Sequence, residues 1–350
     1  MQALFFLWGD SMHKISNHHT VPIIPLLTVL LFALCLGSMM LGKYPLRLEQ
    51  IGRVFVTGGQ DAALQKESTV LLQVRIPRLT ACILVGMALS VSGATCQGIF
   101  HNPMVSPDLL GASSGAAFGA CCGILISASA LSMHLAAFLF GLLATALTYV
   151  VSSIVSHREN STITLVLTGM IVSSLFNAGV SITKLLADTD DKLGEITFWL
   201  MGSMTHLQMK SLPILLIPVL LGVIPLLCFS YRLNVLSFGD EEAQMLGVNV
   251  RRMRLGMIAC ATLATSASVA ACGMVGWIGL VIPHLMRLLV GPDYHKLLPA
   301  SALGGGIFLL LVDNITRIFF QVEVSIGILT ALIGAPCFLI LLVKGKGSWT

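Results

Sequence analysis

Residues 211–229 read Ser-Leu-Pro-Ile-Leu-Leu-Ile-Pro-Val-Leu-Leu-Gly-Val-Ile-Pro-Leu-Leu-Cys-Phe, without one charged side chain. This length is close to the roughly 20 residues that an α-helix needs to cross a hydrocarbon core of about 30 Å. Similar apolar runs recur along the chain, and each is continuous rather than alternating in polarity, which argues against a transmembrane β-barrel. They predict an all-α, polytopic membrane bundle of about ten transmembrane helices. The runs lie at 21–42, 79–100, 109–127, 131–154, 162–187, 211–229, 255–272, 274–290, 299–320 and 326–344.

The composition indicates the same class of protein. Apolar residues make up 56% of the chain and charged residues 10%, whereas a soluble domain carries roughly 25% charged residues. The 33 glycines join Ala and Ser in small-residue faces such as Gly111–Ala117 and Gly304–Gly306. Because such faces let helix backbones approach closely, they predict a compact bundle. No linker long enough to separate domains is present, so residues 21–344 are predicted to form one transmembrane domain.

Residues able to carry chemistry are spread through the chain rather than clustered. All nine cysteines fall inside apolar runs or at their ends, and no CxxC pair exists. Buried free thiols are therefore predicted instead of disulfides or metal ligands. The histidines are scattered, so we expect no metal site and no cofactor. The chain also lacks GxxxxGKS/T, the loop that cradles ATP phosphates. We expect no catalytic residue, no enzymatic activity and no nucleic-acid partner.

A strongly polar stretch interrupts the apolar pattern at Phe238–Arg254, which reads Phe-Gly-Asp-Glu-Glu-Ala-Gln-Met-Leu-Gly-Val-Asn-Val-Arg-Arg-Met-Arg. Asp240 can cap a helix start, and Glu241 and Glu242 would lie in the first turn, where the helix dipole favours negative charge. Gly247 then supplies a natural stop. The pattern predicts a short helix between two apolar spans, a handle on which another protein could push. The alternative is an ordinary polar loop that happens to be helical.

Charge alone does not orient the bundle. With an even number of spans, the 20 Lys and Arg residues divide equally between the two sides, so the positive-inside rule gives no answer. The longest predicted loop covers residues 43–78. At the N-terminus, Met12 is a candidate start beside Met1, and no cleaved signal peptide is predicted.

Several motifs, taken in order, go beyond composition. They are Arg75–Arg78 (Arg-Ile-Pro-Arg), Gly86–Gly93 followed by Gln97, His101–Pro107 (His-Asn-Pro-Met-Val-Ser-Pro), Ala243–Gly247, Gly276–His284 (Gly-Trp-Ile-Gly-Leu-Val-Ile-Pro-His), Leu297–Ala302, Asp313 with Arg317, Ile326–Thr330, and Gly334–Phe338. From about residue 70 to 344, this order closely resembles the FecCD family, the permease subunits of ABC importers for ferric siderophores, haem and cobalamin. The departures are small: Trp277 stands where an aliphatic residue or Phe is common, and Met104 where Leu is usual.

The resemblance implies a cobalamin-permease-like subunit of ten helices that forms a homodimer, or pairs with a close paralogue, around a central path. Two ATPase subunits would bind on one side and a substrate-binding protein on the other, with membrane lipid around the dimer. The polar segment near 238–250 would be the cytoplasmic coupling helix. The N-terminal segment 1–20, the C-terminal tail 345–350 and both termini would then be cytoplasmic in a multi-pass protein of the cell (inner) membrane.

The resemblance also implies roles for individual residues. Pro103 cannot continue a helix, Asn102 can bond freed backbone groups, and the planar guanidinium of Arg can grip a carboxylate. The plain alternatives are a rigid turn between helices and arginines that snorkel to lipid headgroups. The implied coupling residues are Glu242, Ala243, Leu246, Gly247, Arg251 and Arg252; the gate residues are Asn102, Pro103, Met104 and Thr162; the residues that dock the binding protein are Arg75, Arg78 and Arg317.

Two other classes of protein compete with this interpretation. An ion-coupled secondary transporter would need an ionisable residue inside the membrane; Asp313 is the clearest candidate, and Arg317 at i+4 is placed to neutralise it. A membrane-embedded enzyme would need convergent catalytic groups, of which only His284 is a plausible piece, and we interpret it as structural. The predicted path is apolar and poor in charge, which favours a bulky chelate. Ferric siderophore is the first choice, followed by haem and cobalamin, and molybdate remains open.

Overall fold

The computed structural model describes residues 22–42, 44–59, 61–155, 162–189, 191–205, 207–320 and 324–345. Within these ranges the regular structure is helical, and no strand occurs. The predicted N-terminal segment 1–20 and the tail beyond residue 345 lie outside the described residues.

The helices follow one another with short connections. The first half contains α1 (Ile23–Met40), α2 (Leu48–Thr57), α3 (Gln65–Ser68), α4 (Ile76–Ile99), α5 (Ala112–Leu125), α6 (Ala130–Val155) and α7 (Thr162–Leu186). The second half contains α8 (Lys192–Leu200), α9 (Leu212–Cys228), α10 (Ser230–Leu236), α11 (Asp240–Met245), α12 (Val250–Cys272), α13 (Ile278–Val290), α14 (Tyr294–Phe319) and α15 (Ile326–Gly345). A π-helical segment, Thr69–Arg75, joins α3 to α4, and 3₁₀ turns lie at Ala62–Leu64, Pro107–Leu110 and Met209–Ser211.

Seven stretches of the described chain are long and apolar enough to cross a membrane. They are α1, the continuous Gln65–Ile99, α6, α7, Met209–Cys228, α12 and α14. The helices α5, α13 and α15 are apolar but shorter, and they occupy the positions of the remaining predicted runs. The predicted all-α membrane bundle is therefore confirmed, and each predicted run has its helix.

The segment predicted as the longest loop, 43–78, differs from that expectation because most of its described residues are helical. Ile51 and Val54 lie three residues apart on α2 and are buried, while the charged residues around them face outward. Leu46 and Leu71 complete this small core. Apolar residues at helical spacing among charges thus form an amphipathic helix that a search for continuous apolar runs does not detect.

The helix α4 lies at the centre of the bundle and is buried on nearly every face. It crosses α14 so closely that a Cβ atom on Gly86 would lie 2.2 Å from the carbonyl oxygen of Gly305. The helices α5 and α6 approach in the same way, since a Cβ on Gly115 would lie 2.4 Å from the Phe140 carbonyl oxygen. The predicted small-residue faces are therefore the surfaces on which the backbones meet.

All nine cysteines carry free thiols, as predicted. Most of them are buried or half-buried among the helices, and Cys228 is exposed.

Candidate functional site

The short helix α11 lies between α10 and α12 at one end of the bundle, which we call the α11 end. Gly239 caps its start with a φ of +126°, a conformation that L side chains rarely adopt. Asp240, Glu241 and Glu242 fill the first turn, where the helix dipole favours negative charge. Gly247, with a φ of +80°, ends the turn that follows. The sequence thus predicted the helix and its stop correctly.

The role of Asp240 differs from the predicted cap. Gly239 occupies the capping position, and Asp240 is the first helical residue. Its carboxylate accepts hydrogen bonds from Nη2 of Arg254, on α12, at 2.7 and 3.0 Å. Both side chains are mostly buried. This charge-assisted contact fastens α11 to the first turns of the long helix α12.

Ala243 was expected to contact a partner protein, but its side chain is fully buried within the chain itself. The side chains that α11 and its flanks expose are apolar: Phe238 is 73% exposed, Met245 87% and Leu246 66%. Glu242 is exposed as well. Such a projecting apolar surface on a polar segment is typical of a protein–protein contact. Leu246 and Glu242 therefore stay candidates for that contact, whereas Ala243 packs α11 against the rest of the chain.

The two predicted coupling arginines, Arg251 and Arg252, lie in the first turn of α12 and are exposed. Asn249 caps this helix through a hydrogen bond from the Arg252 backbone N–H to its side-chain oxygen at 3.0 Å. The long helix α12 thus begins at a defined residue, Val250, shortly after α11 ends.

The loop between α4 and the 3₁₀ turn at Pro107–Leu110 carries the predicted gate residues. The backbone N–H of Met104 donates to the Asn102 side-chain oxygen at 2.9 Å, which confirms that Asn102 bonds freed backbone groups. Met104 is 51% exposed. Thr162 begins α7, but its side chain lies outside the described part of the structure.

His101 opens this loop; the sequence placed it in a motif but assigned it no role. It has a φ of +48°, which is uncommon for a residue other than glycine. Its ring Nε2 lies 2.6 Å from the carbonyl oxygen of Leu236, the last residue of α10. The loop at Asn102 and the segment that leads into α11 are therefore joined directly.

The opposite end of the bundle holds a buried charged cluster around Asp313 on α14. Arg78 donates from Nε to Oδ1 of Asp313 at 2.7 Å, and Nε of Arg317 lies 2.9 Å from Oδ2. Asp313 is fully buried, and both arginine side chains are nearly so. The predicted i+4 pairing of Arg317 with Asp313 is confirmed. Because two guanidinium groups share one carboxylate, the cluster keeps a net positive charge.

Arg75 lies beside this cluster but makes different contacts. Its terminal nitrogens donate to the backbone carbonyl oxygens of Met39 and Tyr44, at the end of α1 and in the connection that follows. The side chain is buried. Arg75 therefore holds the α1–α2 connection against α4.

The structure thus brings together the three arginines predicted to dock a partner, Arg75, Arg78 and Arg317. They line one cavity of about 220 Å³, together with Ser203 and Thr205. The guanidinium groups are mainly turned toward partners within the chain rather than toward the surface. The sequence indicated that they are neighbours but not that they are buried.

Comparison with known proteins identifies the same family as the sequence motifs. The model of the FecCD transport family matches residues 28–344. This chain belongs to the FecCD transport family. Within the family it is 40% identical to the molybdate import system permease protein MolB of Haemophilus influenzae, across 91% of this chain and 95% of the relative. It is 35% identical to the hemin transport system permease protein HmuU of Yersinia pestis, with the same shares covered.

A solved structure agrees with this family. An inward-facing metal-chelate type ABC transporter superposes with a TM-score of 0.84 at 40% identity, covering 92% of this chain and 99% of that chain. A third relative by sequence, the cobalamin import system permease protein BtuC of Halobacterium salinarum, is 39% identical over 77% of this chain and 72% of the relative. This FecCD protein is therefore an integral membrane permease of an ABC importer. Its relatives are named for transport and not for an enzymatic reaction.

Proposed function

We propose that this FecCD permease couples ATP hydrolysis by separate ATPase subunits to the uptake of a metal complex delivered by a soluble binding protein. The observation that carries the proposal is α11, a short helix fastened to α12 through Asp240 and Arg254 that projects apolar side chains away from the bundle. Such a helix can enter a cleft on a partner and transmit its movement to a membrane span. The α11 end, and with it both termini, would then face the cytoplasm of a cell (inner) membrane protein.

The contact made by α11 is tested by changing its exposed surface without disturbing its own packing. Leu246→Glu places a charge in the contact and should reduce both uptake and partner-stimulated ATP hydrolysis at least tenfold in proteoliposomes, while the dimer stays monodisperse. Gly247→Pro tests the turn after α11 instead, because proline imposes a negative φ where Gly247 has +80°, and it should also reduce coupling. Ile126→Glu is the matched control, since Ile126 is 75% exposed at the opposite end. Normal coupling in both Leu246→Glu and Gly247→Pro would refute the assignment.

We further propose that the subunits form a homodimer and that the loop of Asn102, Pro103 and Met104 narrows the cytoplasmic mouth together with the start of α7 at Thr162. The half-exposed Met104 and the fixed backbone of this loop support the proposal. Cysteines at positions 104 and 162, introduced into a dimer depleted of native cysteine, should crosslink between subunits in the resting state. Absence of the crosslink under every nucleotide condition would place the constriction elsewhere.

We propose that the binding protein docks at the cavity beside Arg78. Nε of Arg78 is occupied by Asp313, but its two terminal nitrogens make no hydrogen bond within the described residues. They are available for a two-pronged grip on a carboxylate. Arg75 would act by holding the nearby connection in place, and Arg317 by neutralising Asp313.

Arg78→Gln tests this docking site, because Arg317 still neutralises the charge of Asp313 in the variant. We expect weaker association with the binding protein, mainly through a slower and less salt-sensitive encounter. Arg53→Gln is the control because Arg53 is an exposed arginine on α2, paired only with Glu49 among the described side chains. Equal affinity and equal salt dependence of the two variants would show that Arg78 has a structural role only.

The substrate we propose first is a ferric siderophore, and the alternatives are haem, cobalamin and molybdate. The apolar character of the chain favours a bulky chelate, whereas the 40% identity to a molybdate permease favours the oxyanion. Uptake of radiolabelled ferric siderophore and of radiolabelled molybdate, each with its candidate binding protein, distinguishes the two. An ion-coupled secondary transporter would lose uptake when the proton gradient is dissipated in the presence of ATP, and we expect uptake to persist.

A further inference from the structure

A second cavity lies beside the proposed coupling helix, next to the capped start of α12. It has a volume of about 460 Å³ and lies between the end of α9 and the start of α12. We call it the basic cavity. Its lining residues are Phe229, Arg232, Gly247, Val248, Asn249, Arg252, Met253 and Gly256.

Two guanidinium groups in the basic cavity have no acidic partner among the described residues. Arg232 lies with its guanidinium carbon 5.6 Å from the centre of the Phe229 ring, and its Nη1 is 3.9 Å from the sulfur of Met253. Within the described ranges, the side chain of Arg252 makes no ion pair and no hydrogen bond. Its backbone N–H donates to the side-chain oxygen of Asn249. By contrast Arg254, which follows Arg252 on the same helix, is paired with Asp240. Two unneutralised cations facing one cavity favour an anionic ligand.

The position of the cavity indicates the source of that anion. The apolar span of α9 ends at Cys228, so Phe229 and the 74% exposed Tyr231 lie where the hydrocarbon core gives way to water. Tyr and Trp are enriched at this level of a membrane, and Tyr231 fits that pattern. Leu255, on α12 beside the cavity, is 43% exposed and extends the apolar surface along which an acyl chain can lie. Gly256 leaves open space, since no atom apart from its chain neighbours and its own helix backbone lies within 4 Å of where its Cβ would be.

We infer that the basic cavity binds the phosphate group of an anionic phospholipid, with Arg232 and Arg252 as its ligands. Basic pockets between helices on the cytoplasmic side of a membrane bind such headgroups. The lipid would fix the first turn of α12, to which Arg254 fastens α11, and so would hold the coupling helix in position. This inference rests on the proposed function for its orientation, because the α11 end must face the leaflet that carries anionic lipid.

Lipid binding can be measured on the purified full-length permease without ATPase or binding protein, so its outcome is independent of the transport proposal. The detergent-solubilised protein is titrated with short-chain phosphatidylglycerol, and bound lipid is counted by native mass spectrometry. We expect saturable binding of phosphatidylglycerol and much weaker binding of phosphatidylcholine, which has the same phosphodiester without net charge. Arg232→Gln and Arg252→Gln should each weaken binding on the order of fivefold, and the double variant about 25-fold.

Lys296→Gln is the matched control, because Lys296 is an exposed cation near the start of α14 at the same end of the bundle. It should bind phosphatidylglycerol like the unchanged protein. Equal affinity of the double variant and this control would overturn the inference. Competition by millimolar inorganic phosphate would overturn the lipid as the source of the anion. Loss of ATPase-subunit binding in the double variant, with lipid binding intact, would assign the cavity to the protein interface instead.

Discussion

Replacing Gly305 by alanine measures how closely α4 and α14 must approach. A Cβ atom at this position would lie 1.9 Å from Oγ of Ser90 and 2.1 Å from the carbonyl oxygen of Gly86. The Ser90 hydroxyl can rotate away, but the Gly86 carbonyl belongs to the backbone of α4 and cannot. Because an ordinary C–H···O contact needs about 3.3 Å, the helices would have to separate by about 1 Å. Gaps of this size forfeit a quarter to a half of the dispersion energy of the atoms involved.

The expected loss of stability can be set against the gain from alanine. Overpacking of a close-packed core costs about 1–3 kcal/mol and sometimes more, whereas Gly→Ala within a helix gains about 1 kcal/mol. Since the clash is with backbone, we expect Gly305→Ala to lose about 2 kcal/mol net. Gly306→Ala is the control one residue away, since its Cβ would meet nothing closer than 3.4 Å. It should be neutral or slightly stabilising.

The assay is thermal unfolding of the detergent-solubilised protein at one scan rate, followed by tryptophan fluorescence. We expect a lower midpoint for Gly305→Ala than for Gly306→Ala. Adding Ser90→Ala to Gly305→Ala removes the side-chain contact only and should not restore the midpoint. If Gly305→Ala unfolds at the same temperature as its control, the close crossing of α4 and α14 is wrong.

Two further predictions concern carboxylates. Asp313→Asn leaves Arg78 and Arg317 without their charged partner inside the bundle, and we expect a loss of about 3–5 kcal/mol, seen as a lower unfolding midpoint; an unchanged midpoint would show that the pair is dispensable. Asp293 caps α14 by accepting from the His295 backbone N–H at 3.0 Å, so Asp293→Ala should cost about 1 kcal/mol and Asp293→Ser less. Hydrogen bonds from Asn234 and the His295 backbone lower the pKa of Asp293; its contribution is therefore present above the unfolded value near 3.9 and lost as pH falls below it. Unfolding midpoints measured from pH 7 to pH 3 should show this loss, and Asp293→Ala should show less of it.

Much of the fold could be predicted because membrane spans are recognisable in sequence by their length and apolar composition. The positions of the spans and of α11 follow from apolar runs and from Gly, Asp and Glu at helix ends. The face that α11 exposes could not be predicted, because a helix of six residues is too short to show a periodicity that distinguishes Ala243 from Met245. The contact between Asp240 and Arg254 was missed for a related reason, since the two residues belong to different helices.

The buried cluster shows a different limit of the sequence. Arg317 and Asp313 share one helix, so their pairing follows from the i+4 spacing. Arg78 reaches the same carboxylate from α4, 235 residues away in sequence, and only the packing of α4 against α14 brings them together. The burial of Arg75, Arg78 and Arg317 could not be predicted, because a basic residue near a span end has the same sequence pattern whether it faces water or partners inside the protein.

These contacts also indicate which parts of the molecule can move against one another. The helices α4 and α14 are joined by backbone contact at Gly86 and Gly305 and by the ion pair of Arg78 with Asp313, near one end of the bundle. Separating them would break both contacts at once, so they form one rigid unit. The helix α11 is joined to α12 through the mostly buried pair of Asp240 and Arg254, and the Asn102–Met104 loop is joined to α10 through His101. A push on α11 would therefore reach the Asn102–Met104 loop through α10 and α12 as a movement around the rigid pair, not through a deformation of it.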